Sequence, residues 1–457
     1  MAQILKGGAP ALVFERPPVG SDEFSTPPTD NGALDYEGAI LRSAHPVELL
    51  EWQRVNSELR VENVHHYFWW NKHSGKTLAI LLHCARYSSD LQYRDLKFFA
   101  QVIAPSLGVS REEVGGDSSS WSSFMTDDGT PLELSWDWGT GNNQPMVRYS
   151  IEPIGLFAGT SLDPNNLIAG FAFQGRLLCS LPNMRLEWFH HFRKFFDVRS
   201  CEEASLTEAM PDHKSSTFYA FDLSKTEVTA KVYFFPKTRA AAYKQSSLEV
   251  LYQAIYAAPY STEDKLKAAS IFRDFASDTG NETLEYEMLA IDLIDPMESR
   301  IKIYFRCRET TFNSVMNIMT LGGRIKSPML HQGLGDLHRL WNALFGVNTT
   351  PDQPLGEVNH RTAGILYNVE FRLGDAFPIA KVYLPVRHYS NSDEAVICGL
   401  DRYFQYHKRS KYMPNYVRAM STIITPTSSR AQSGVQTYVG CTIRPDGALR
   451  VVSYFKP

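Results

Sequence analysis

The sequence predicts an α+β fold in which ten antiparallel strands close into a barrel inside an outer ring of helices. Three observations support it. Strand-like alternation occurs in five hairpin pairs, helical segments separate the pairs, and the helix–helix–hairpin unit recurs along the chain. With 43% hydrophobic residues among 457, the chain can bury a large core. Ten antiparallel strands without obvious edge protection most simply close on themselves.

Residues 1–45 differ in composition from everything that follows. The stretch ERPPVGSDEFSTPPTDNG (15–32) is rich in Pro, Gly, Ser and charge. Such a segment has too little apolar surface to offset the entropy of ordering it. The sequence therefore predicts a flexible extension over 1–45 and one barrel domain of five two-helix, two-strand repeats over 46–457.

The strand pairs follow one another with turn residues between their members, such as Gly374-Asp375 and Pro445-Asp446-Gly447. The predicted pairs are 132–138 with 146–153, 216–223 with 228–236, 285–293 with 299–307, 364–373 with 379–385, and 434–444 with 448–455. Helical periodicity is found, among other places, at 186–198, 247–258, 262–276, 327–346 and 393–407.

A Lys-x-Tyr pair occurs three times inside apolar runs: AKVYFFP (230–236), RIKIYF (300–305) and AKVYLP (380–385). Residues i and i+2 of a strand share a face, so each lysine shares a face with its tyrosine. Lysines of edge strands reaching into solvent would explain any single pair. All three pairs, however, fall on the second strand of a predicted hairpin. Because helices must cover the apolar outer face of the barrel, the polar face is predicted to line a lumen.

The predicted lumen therefore combines cations with phenol rings. Enclosed cations repel one another and lose hydration, so they need good solvation or a polyanion such as a diphosphate. Tyrosine rings present their negative faces to a cation. This combination suits an allylic diphosphate that ionises. The cations are Arg148, Lys231, Arg300, Lys302 and Lys381, and the phenols are Tyr233, Tyr304, Tyr383, Tyr438 and Tyr454.

The composition argues against a nucleic-acid-binding, membrane-spanning or secreted protein. A net charge of −4 and the absence of a basic-aromatic ladder argue against nucleic-acid binding. No apolar run approaches the roughly 18 residues of a membrane span, and no signal-peptide pattern begins the chain. We expect a cytoplasmic protein, a monomer or homodimer, whose partners are small-molecule substrates.

Several motifs, in a fixed order from about residue 50 to the end, carry a family resemblance. On them the sequence resembles the fungal aromatic prenyltransferases of the dimethylallyltryptophan synthase family, whose fold is the ααββ prenyltransferase (PT/ABBA) barrel. The motifs are GTPLELSW (129–136), VRYSIEPI (147–154), AKVYFFP (230–236), SRIKIYF (299–305), MTLGGR (319–324) and AKVYLP (380–385).

The resemblance implies a Friedel–Crafts alkylation: a dimethylallyl group passes from dimethylallyl diphosphate to an aromatic carbon of a bulky indole-containing secondary metabolite. Glu133 would accept a hydrogen bond from the acceptor as a general base does. The five cations would bind the diphosphate, and the five tyrosines would shield the carbocation. Phe124, Met125 and Phe218, together with Glu133, would bind the acceptor.

The metal-binding DDxxD motif of chain-length prenyl synthases is missing. The nearest match, Asp127-Asp128 followed by Gly-Thr-Pro, is predicted to be a turn. The lumen cations would take over the charge of the metal, so we expect that neither magnesium nor any other cofactor is required.

Two positions depart from the tryptophan-prenylating members. Phe218 stands where those enzymes carry a lumen lysine, which leaves the final proton acceptor open. Glu287 stands where they place an arginine against the carboxylate of the amino acid. The departure at Glu287 predicts poor binding of free tryptophan.

Three alternatives remain at the level of sequence. The first is an enzyme that adds a dimethylallyl or geranyl group to a phenolic polyketide or xanthone, since Glu133 can also accept a bond from O–H. The second is a non-catalytic barrel that binds an anionic lipid or nucleotide. The third is a phosphohydrolase, for which the sequence shows no Asp, His and Cys arrangement of suitable spacing.

Overall fold

The computed structural model describes residues 47–110, 112–113, 121–197, 213–346, 350–424 and 434–457. Within these ranges ten antiparallel strands form one closed barrel in which neighbours in sequence are neighbours in space, and β1 pairs with β10 to close it. The predicted barrel is thus confirmed. The extension predicted over residues 1–45 lies outside the described residues.

The strands agree with the predicted pairs, and each end lies within two residues of the predicted one. Arg300 was predicted inside a strand, but it directly precedes β6. The strands are β1 (Leu132–Gly139), β2 (Met146–Ile151), β3 (Thr217–Leu223), β4 (Val228–Phe234), β5 (Glu285–Asp292), β6 (Ile301–Cys307), β7 (Ile365–Phe371), β8 (Ile379–Leu384), β9 (Gln436–Ile443) and β10 (Leu449–Phe455).

Helices surround the barrel, as predicted. The described α-helices of seven residues or more are Leu50–Glu58, Ser74–Cys84, Ser89–Phe98, Leu167–Ser180, Glu187–Phe196, Lys237–Tyr243, Ser247–Tyr256, Lys267–Ala276, Phe312–Met319, Pro328–Phe345, Asp393–Tyr406 and Met413–Ile423. None of the described helices is long and apolar enough to cross a lipid bilayer.

The hydrophobic core lies between the outer face of the barrel and the helices. In β6, Ile303 and Phe305 are completely buried, and the Phe305 ring lies 5.2 Å from that of Phe272 on a surrounding helix. In β1, Trp136 packs edge-on against Tyr416 of another helix. Each such side chain contributes about 1.5–3 kcal/mol by leaving water. The apolar face therefore points outward, and the alternate residues point into the lumen.

Candidate active site

A single cavity of about 550 Å³ occupies the lumen, and all ten strands contribute to its wall. Every residue that the sequence predicts for donor or acceptor binding lines this cavity: Phe124, Met125, Glu133, Arg148, Phe218, Lys231, Tyr233, Arg300, Lys302, Tyr304, Lys381, Tyr383, Tyr438 and Tyr454. The strand residues among them lie on the face that alternation predicts, whereas Phe124 and Met125, which only the resemblance implied, lie in the loop before β1. The roles of all these residues stay predictions.

Buried carboxylates lie among the lumen cations, a feature that the sequence analysis overlooked. Asp292 accepts from Arg300 Nε at 2.7 Å and from Lys302 Nζ at 3.0 Å. Asp222 pairs with Lys231 and lies 3.2 Å from Arg148 Nε. The expectation that only solvation or a polyanion could make these cations tolerable is therefore wrong, because the protein supplies counter-charges of its own.

We call this part of the cavity the charged end. Its six cations outnumber its four carboxylates, so two positive charges are in excess when all groups are ionised. The cations are Arg148, Lys231, Arg300, Lys302, Lys381 and Arg450, and the carboxylates are Asp137, Asp222, Asp292 and Glu370. This excess leaves the charged end able to bind an anion.

Burial changes the ionisation of the charged end. Burial lowers the pKa of Lys381 to about 7, and neighbouring Arg148 and Arg450 act in the same direction. Burial likewise lowers the pKa of Lys231 to about 8, although Asp222 opposes the change. For Asp292, burial alone would raise the pKa, but Lys302 and Arg300 outweigh it and hold that pKa well below its usual range. The carboxylates therefore stay charged, while two of the lysines titrate near neutral pH.

Lys381 of β8 is held by two tyrosines, Tyr383 of its own strand and Tyr454 of β10. Its Nζ donates to the Tyr454 hydroxyl at 2.8 Å and lies 4.3 Å from the centre of the Tyr383 ring. Gly440 of β9 makes room for this arrangement. A Cβ at that position would approach the Tyr454 ring to 2.9 Å and Lys381 Cε to 3.0 Å. Any larger residue would therefore displace this pair.

The five tyrosines form a continuous belt of ring contacts in the cavity, in which the ring centres of Tyr438 and Tyr383 are 6.4 Å apart. Ring centres are 5.7 Å apart for Tyr233 and Tyr304, 6.0 Å for Tyr304 and Tyr383, and 5.6 Å for Tyr383 and Tyr454. Asn368 Nδ2 donates to the Tyr383 hydroxyl at 2.9 Å, which donates to Tyr304 at 3.4 Å. Burial raises the pKa of Tyr304 to about 12. Burial also raises the pKa of Tyr383, so both phenols are neutral, and hydrogen bonds orient their hydroxyls.

Glu133 lies on β1 beyond the belt, at what we call the acceptor end. Its Oε1 accepts from Thr437 Oγ1 at 2.7 Å. Burial raises the pKa of the Glu133 carboxyl to about 7, despite the opposing effects of Thr437 and Arg387. This carboxyl can therefore lose its proton close to neutral pH and accept a hydrogen bond from a substrate N–H or O–H.

Aromatic side chains form the wall of the acceptor end. Phe124 stacks on His213 with ring centres 3.8 Å apart, and Phe235 lies 6.1 Å from Phe124 and 4.8 Å from Phe218. A flat aromatic substrate can pack against such a wall.

A buried carboxylate orders the loop that carries Phe124 and Met125. Glu152 accepts from the hydroxyls of Ser123 at 2.5 Å and Ser215 at 2.8 Å. Those hydroxyls in turn accept the backbone N–H groups of Met125 and Phe124, respectively. Because the carboxylate orients both hydroxyls, it fixes the position of two wall residues. The sequence analysis did not identify Glu152, which appeared there only as part of a family motif.

The Asp127-Asp128 pair forms a turn, as predicted. Asp128 accepts from Thr126 Oγ1 at 2.8 Å and from the Thr130 backbone N–H at 3.1 Å. Asp127 instead points to Arg387, whose guanidinium lies 2.8 Å away. Potential ligand atoms of Asp127, His360 and His388 lie within 4.8 Å of one another. The sequence analysis missed this grouping because its members come from three separate segments.

Glu287, the second departure noted in the sequence, lines the cavity and accepts from Arg306 Nε at 2.8 Å. Its charge is therefore balanced inside the barrel by the neighbouring strand.

The sequence model of the tryptophan dimethylallyltransferase family matches residues 65–419. The chain belongs to this family. It is 34% identical to 4-O-dimethylallyl-L-tyrosine synthase of Claviceps purpurea, over 88% of this chain and 90% of that protein. It is 31% identical to 7-dimethylallyltryptophan synthase of Aspergillus fumigatus, over 85% of this chain and 84% of that one. It is 29% identical to xanthone prenyltransferase B of Emericella nidulans, over 85% and 87%.

The crystal structure of AnaPT from Neosartorya fischeri superposes with a TM-score of 0.75 at 26% identity, covering 89% of this chain and 97% of that one. The prenyltransferase barrel that the resemblance implied is thereby confirmed. As a member of the dimethylallyltryptophan synthase family, the protein is an aromatic prenyltransferase, and its substrates are small molecules.

Proposed function

We propose that the protein transfers the dimethylallyl group of dimethylallyl diphosphate to an aromatic carbon of an indole-containing secondary metabolite, without a metal ion. The observation that carries the proposal is one cavity in which Glu133 and the charged end lie on opposite sides of the tyrosine belt: along β1, Ser135 pairs with Tyr454 and separates Glu133 from Asp137. This order matches a substrate pair in which an allyl group lies between its leaving group and its acceptor.

The charged end drives the first step. Here the bond between C1 of the allyl group and the diphosphate oxygen breaks, and both electrons leave with the pyrophosphate. Arginine and lysine side chains fixed in advance stabilise the charge that develops on the leaving group. The tyrosine faces stabilise the allyl cation, each by up to about 2 kcal/mol in a desolvated site.

The acceptor end performs the second step. An indole carbon attacks C1 or C3 of the allyl cation, and Glu133 accepts the indole N–H, which makes the ring more nucleophilic. Loss of the ring proton restores aromaticity. Phe218 cannot accept that proton, so another group must do so.

A phenolic acceptor is the second candidate. Glu133 can accept a hydrogen bond from O–H as well as from N–H, and two relatives are a tyrosine synthase and a xanthone prenyltransferase by name. In this version the donor carries a dimethylallyl or a geranyl chain.

A screen with both donors and a panel of indoles and phenols, followed by mass spectrometry, tests the proposal. We expect a product that has gained one isoprene unit from dimethylallyl diphosphate and an indole. Hydrolysis of the donor without any alkylated arene would contradict the proposal, and alkylation of phenols alone would favour the second candidate.

We further propose that residues 46–457 act as one barrel domain, in the cytoplasm, as a monomer or homodimer. The described part of the chain after residue 46 supports the single domain, because its ten strands belong to one sheet.

A further inference from the structure

A second cavity lies outside the barrel wall, and we call it the side chamber. It has a volume of about 300 Å³ and lies between the outer faces of β3 and β4 and the helices Leu167–Ser180 and Glu187–Phe196. Lys214 and Ser216, which also line it, are exposed, so the side chamber reaches the surface. Its volume is at the lower end of the range for ligand pockets, which suits a molecule of one or two rings.

A glycine of the helix Leu167–Ser180 leaves room for the side chamber. Gly170 precedes Phe173 by three residues and Leu177 by seven, so it shares their face of the helix. Those two side chains are almost completely buried, and the Phe173 ring lies 4.9 Å from that of Tyr219 of β3. A Cβ at Gly170, in contrast, would meet no atom within 4 Å. The helix therefore lacks a side chain where its buried face passes the side chamber.

Aromatic rings form the walls of the side chamber. Phe189 and Phe196 come from one helix and Phe234 from β4. The rings of Phe196 and Phe234 stack with their centres 5.8 Å apart, and Phe189 lies 6.0 Å from Phe234. Protein interiors are normally close-packed, so these rings offer a ligand contacts that the protein does not make with itself.

Two hydrogen-bond donors in the side chamber have capacity to spare. Tyr219 is only 3% exposed, and its hydroxyl makes no hydrogen bond to any of the described residues. Burial raises the pKa of this phenol, against the opposing effect of Arg193, so the phenol stays a neutral donor. The Arg193 guanidinium lies 3.9 Å from the centre of the Phe171 ring and donates to Gln174 at 3.2 Å, but it forms no ion pair within the described part of the chain. A ligand oxygen would satisfy both donors.

The side chamber adjoins the acceptor end of the lumen without being part of it. Phe235 lines the side chamber, and its ring lies 4.8 Å from Phe218 and 6.1 Å from Phe124, which line the lumen. The Phe235 side chain therefore separates the two cavities. Glu152 and Ser215, which order the loop before β1, line the side chamber as well. A ligand there would lie beside the support of the acceptor wall and outside the lumen.

We propose that the side chamber is a second binding site, which takes an aromatic molecule of one or two rings that carries a hydrogen-bond-accepting oxygen. The ring system packs on the aromatic walls, and the oxygen accepts hydrogen bonds from Tyr219 and Arg193. This site goes beyond the proposed function, because it lies outside the cavity that binds donor and acceptor.

Equilibrium dialysis against 2-naphthol, at up to about 1 mM, tests the inference by counting the molecules bound per chain. Gly170→Leu fills the side chamber, and we expect it to bind one molecule fewer than the wild type. Because Gly170 lies outside the lumen, binding in the lumen is the same in both proteins. Gly175→Leu is the matched control, since Gly175 lies on the exposed face of the same helix, and it should bind as many molecules as the wild type. Gly170→Leu should neither lower Tm nor change the rate of prenyl transfer.

Tyr219→Phe tests the hydrogen bond, because it removes only the hydroxyl. It should weaken binding of 2-naphthol in the side chamber about fivefold. Binding of naphthalene, which has no oxygen, should stay unchanged.

An equal number of bound 2-naphthol molecules in Gly170→Leu and the wild type would overturn the inference. A lower Tm of Gly170→Leu would also overturn it, because the helix would then already pack against the barrel at this position. So would a loss of prenyl transfer, because the side chamber would then belong to the substrate site. Equal weakening of 2-naphthol and naphthalene in Tyr219→Phe would contradict the proposed ligand class.

Discussion

At the scale of single residues, the surroundings of Glu133 suit the role proposed for it, acceptance of a hydrogen bond from the substrate. Its carboxyl has its pKa raised to about 7 and faces the acceptor end of the cavity. Replacing it by glutamine keeps the shape and one acceptor oxygen but removes the negative charge that makes the carboxylate a strong acceptor and a base. We expect Glu133→Gln to lower kcat by about 10²–10⁴-fold, while calorimetry shows the donor Kd unchanged. Glu227→Gln, at an exposed turn, is the matched control.

If donor affinity fell as much as kcat did, Glu133 would belong to donor binding and the proposed division of the cavity would be wrong.

Lys381 and Lys231 give the donor site a pH dependence. Their pKa values are lowered to about 7 and about 8, so both lose charge in the free protein as pH rises through this range. A bound diphosphate favours the protonated lysines and raises both pKa values. Donor affinity should therefore fall between about pH 7 and pH 9, and binding at about pH 7.5 should take up protons.

Calorimetric titrations of the donor in two buffers of different ionisation enthalpy measure this uptake. Identical heats in both buffers would show that the lysines do not titrate on binding.

Strand alternation explains which site residues could be predicted from the sequence and which could not. Alternation gives the face of each residue, and on that basis Lys302 and Tyr304 were placed in the lumen. It does not give the partner on the neighbouring strand, so the pairing of Lys302 with Asp292 was not predicted. Arg387, which also lines the cavity, lies outside the strands, where no periodicity defines a side-chain direction, and it was missed.

At the scale of elements, the loop from Trp121 to Met125 carries two residues of the acceptor wall. Glu152 fixes the position of this loop by accepting hydrogen bonds from Trp121 and Ser123. Glutamine at position 152 would turn one acceptor oxygen into a donor and disturb the two serine hydroxyls. We expect Glu152→Gln to raise the KM of the acceptor by about 3–10-fold, equivalent to about 1 kcal/mol. Steady-state kinetics with each substrate varied in turn should show the donor KM unchanged.

Ser215→Ala removes one of the two hydroxyls and should give a smaller effect in the same direction. A rise of both KM values in Glu152→Gln would indicate a general loss of structure and contradict the positioning role.

The elements also differ in how clearly the sequence predicts them. The helix Pro328–Phe345 was predicted to within one residue, since its apolar residues recur at helical spacing and Ser327 caps its first turn. The helix Leu167–Ser180 was not singled out. It contains two glycines, which weaken helix propensity, and only three of its residues are buried. Its position depends on packing against the barrel, which local pattern does not report.

At the scale of the whole molecule, the barrel encloses more cations than carboxylates. This excess favours binding of a diphosphate but lowers the stability of the free protein. Asp292 compensates Arg300 and Lys302 inside the wall. Asp292→Asn would leave these cations under-compensated, and we expect it to destabilise the free protein by about 3–5 kcal/mol. Inorganic pyrophosphate would restore the missing charge, so it should raise Tm by more in the variant than in the wild type.

Thermal denaturation with and without pyrophosphate measures this difference, with Asp274→Asn, on an exposed helix position, as the control. A smaller pyrophosphate shift in Asp292→Asn than in the wild type would contradict a competition between carboxylate and diphosphate for the cations.

The closure of the barrel was predictable because five hairpins of one chain left no alternative partner for the first and last strands. The net charge of the lumen was not predictable, because it depends on which carboxylates of β1, β3, β5 and β7 approach the cations.

The central claim is that the lumen cations replace a metal ion in holding and releasing the diphosphate. The rate of prenyl transfer from dimethylallyl diphosphate to an indole acceptor, measured in excess EDTA and again with Mg²⁺, tests it most directly. The wild type should keep most of its rate in EDTA, and Lys231→Ala should lose transfer at sub-saturating donor under both conditions. A rate that disappears in EDTA and returns with Mg²⁺ would contradict the claim.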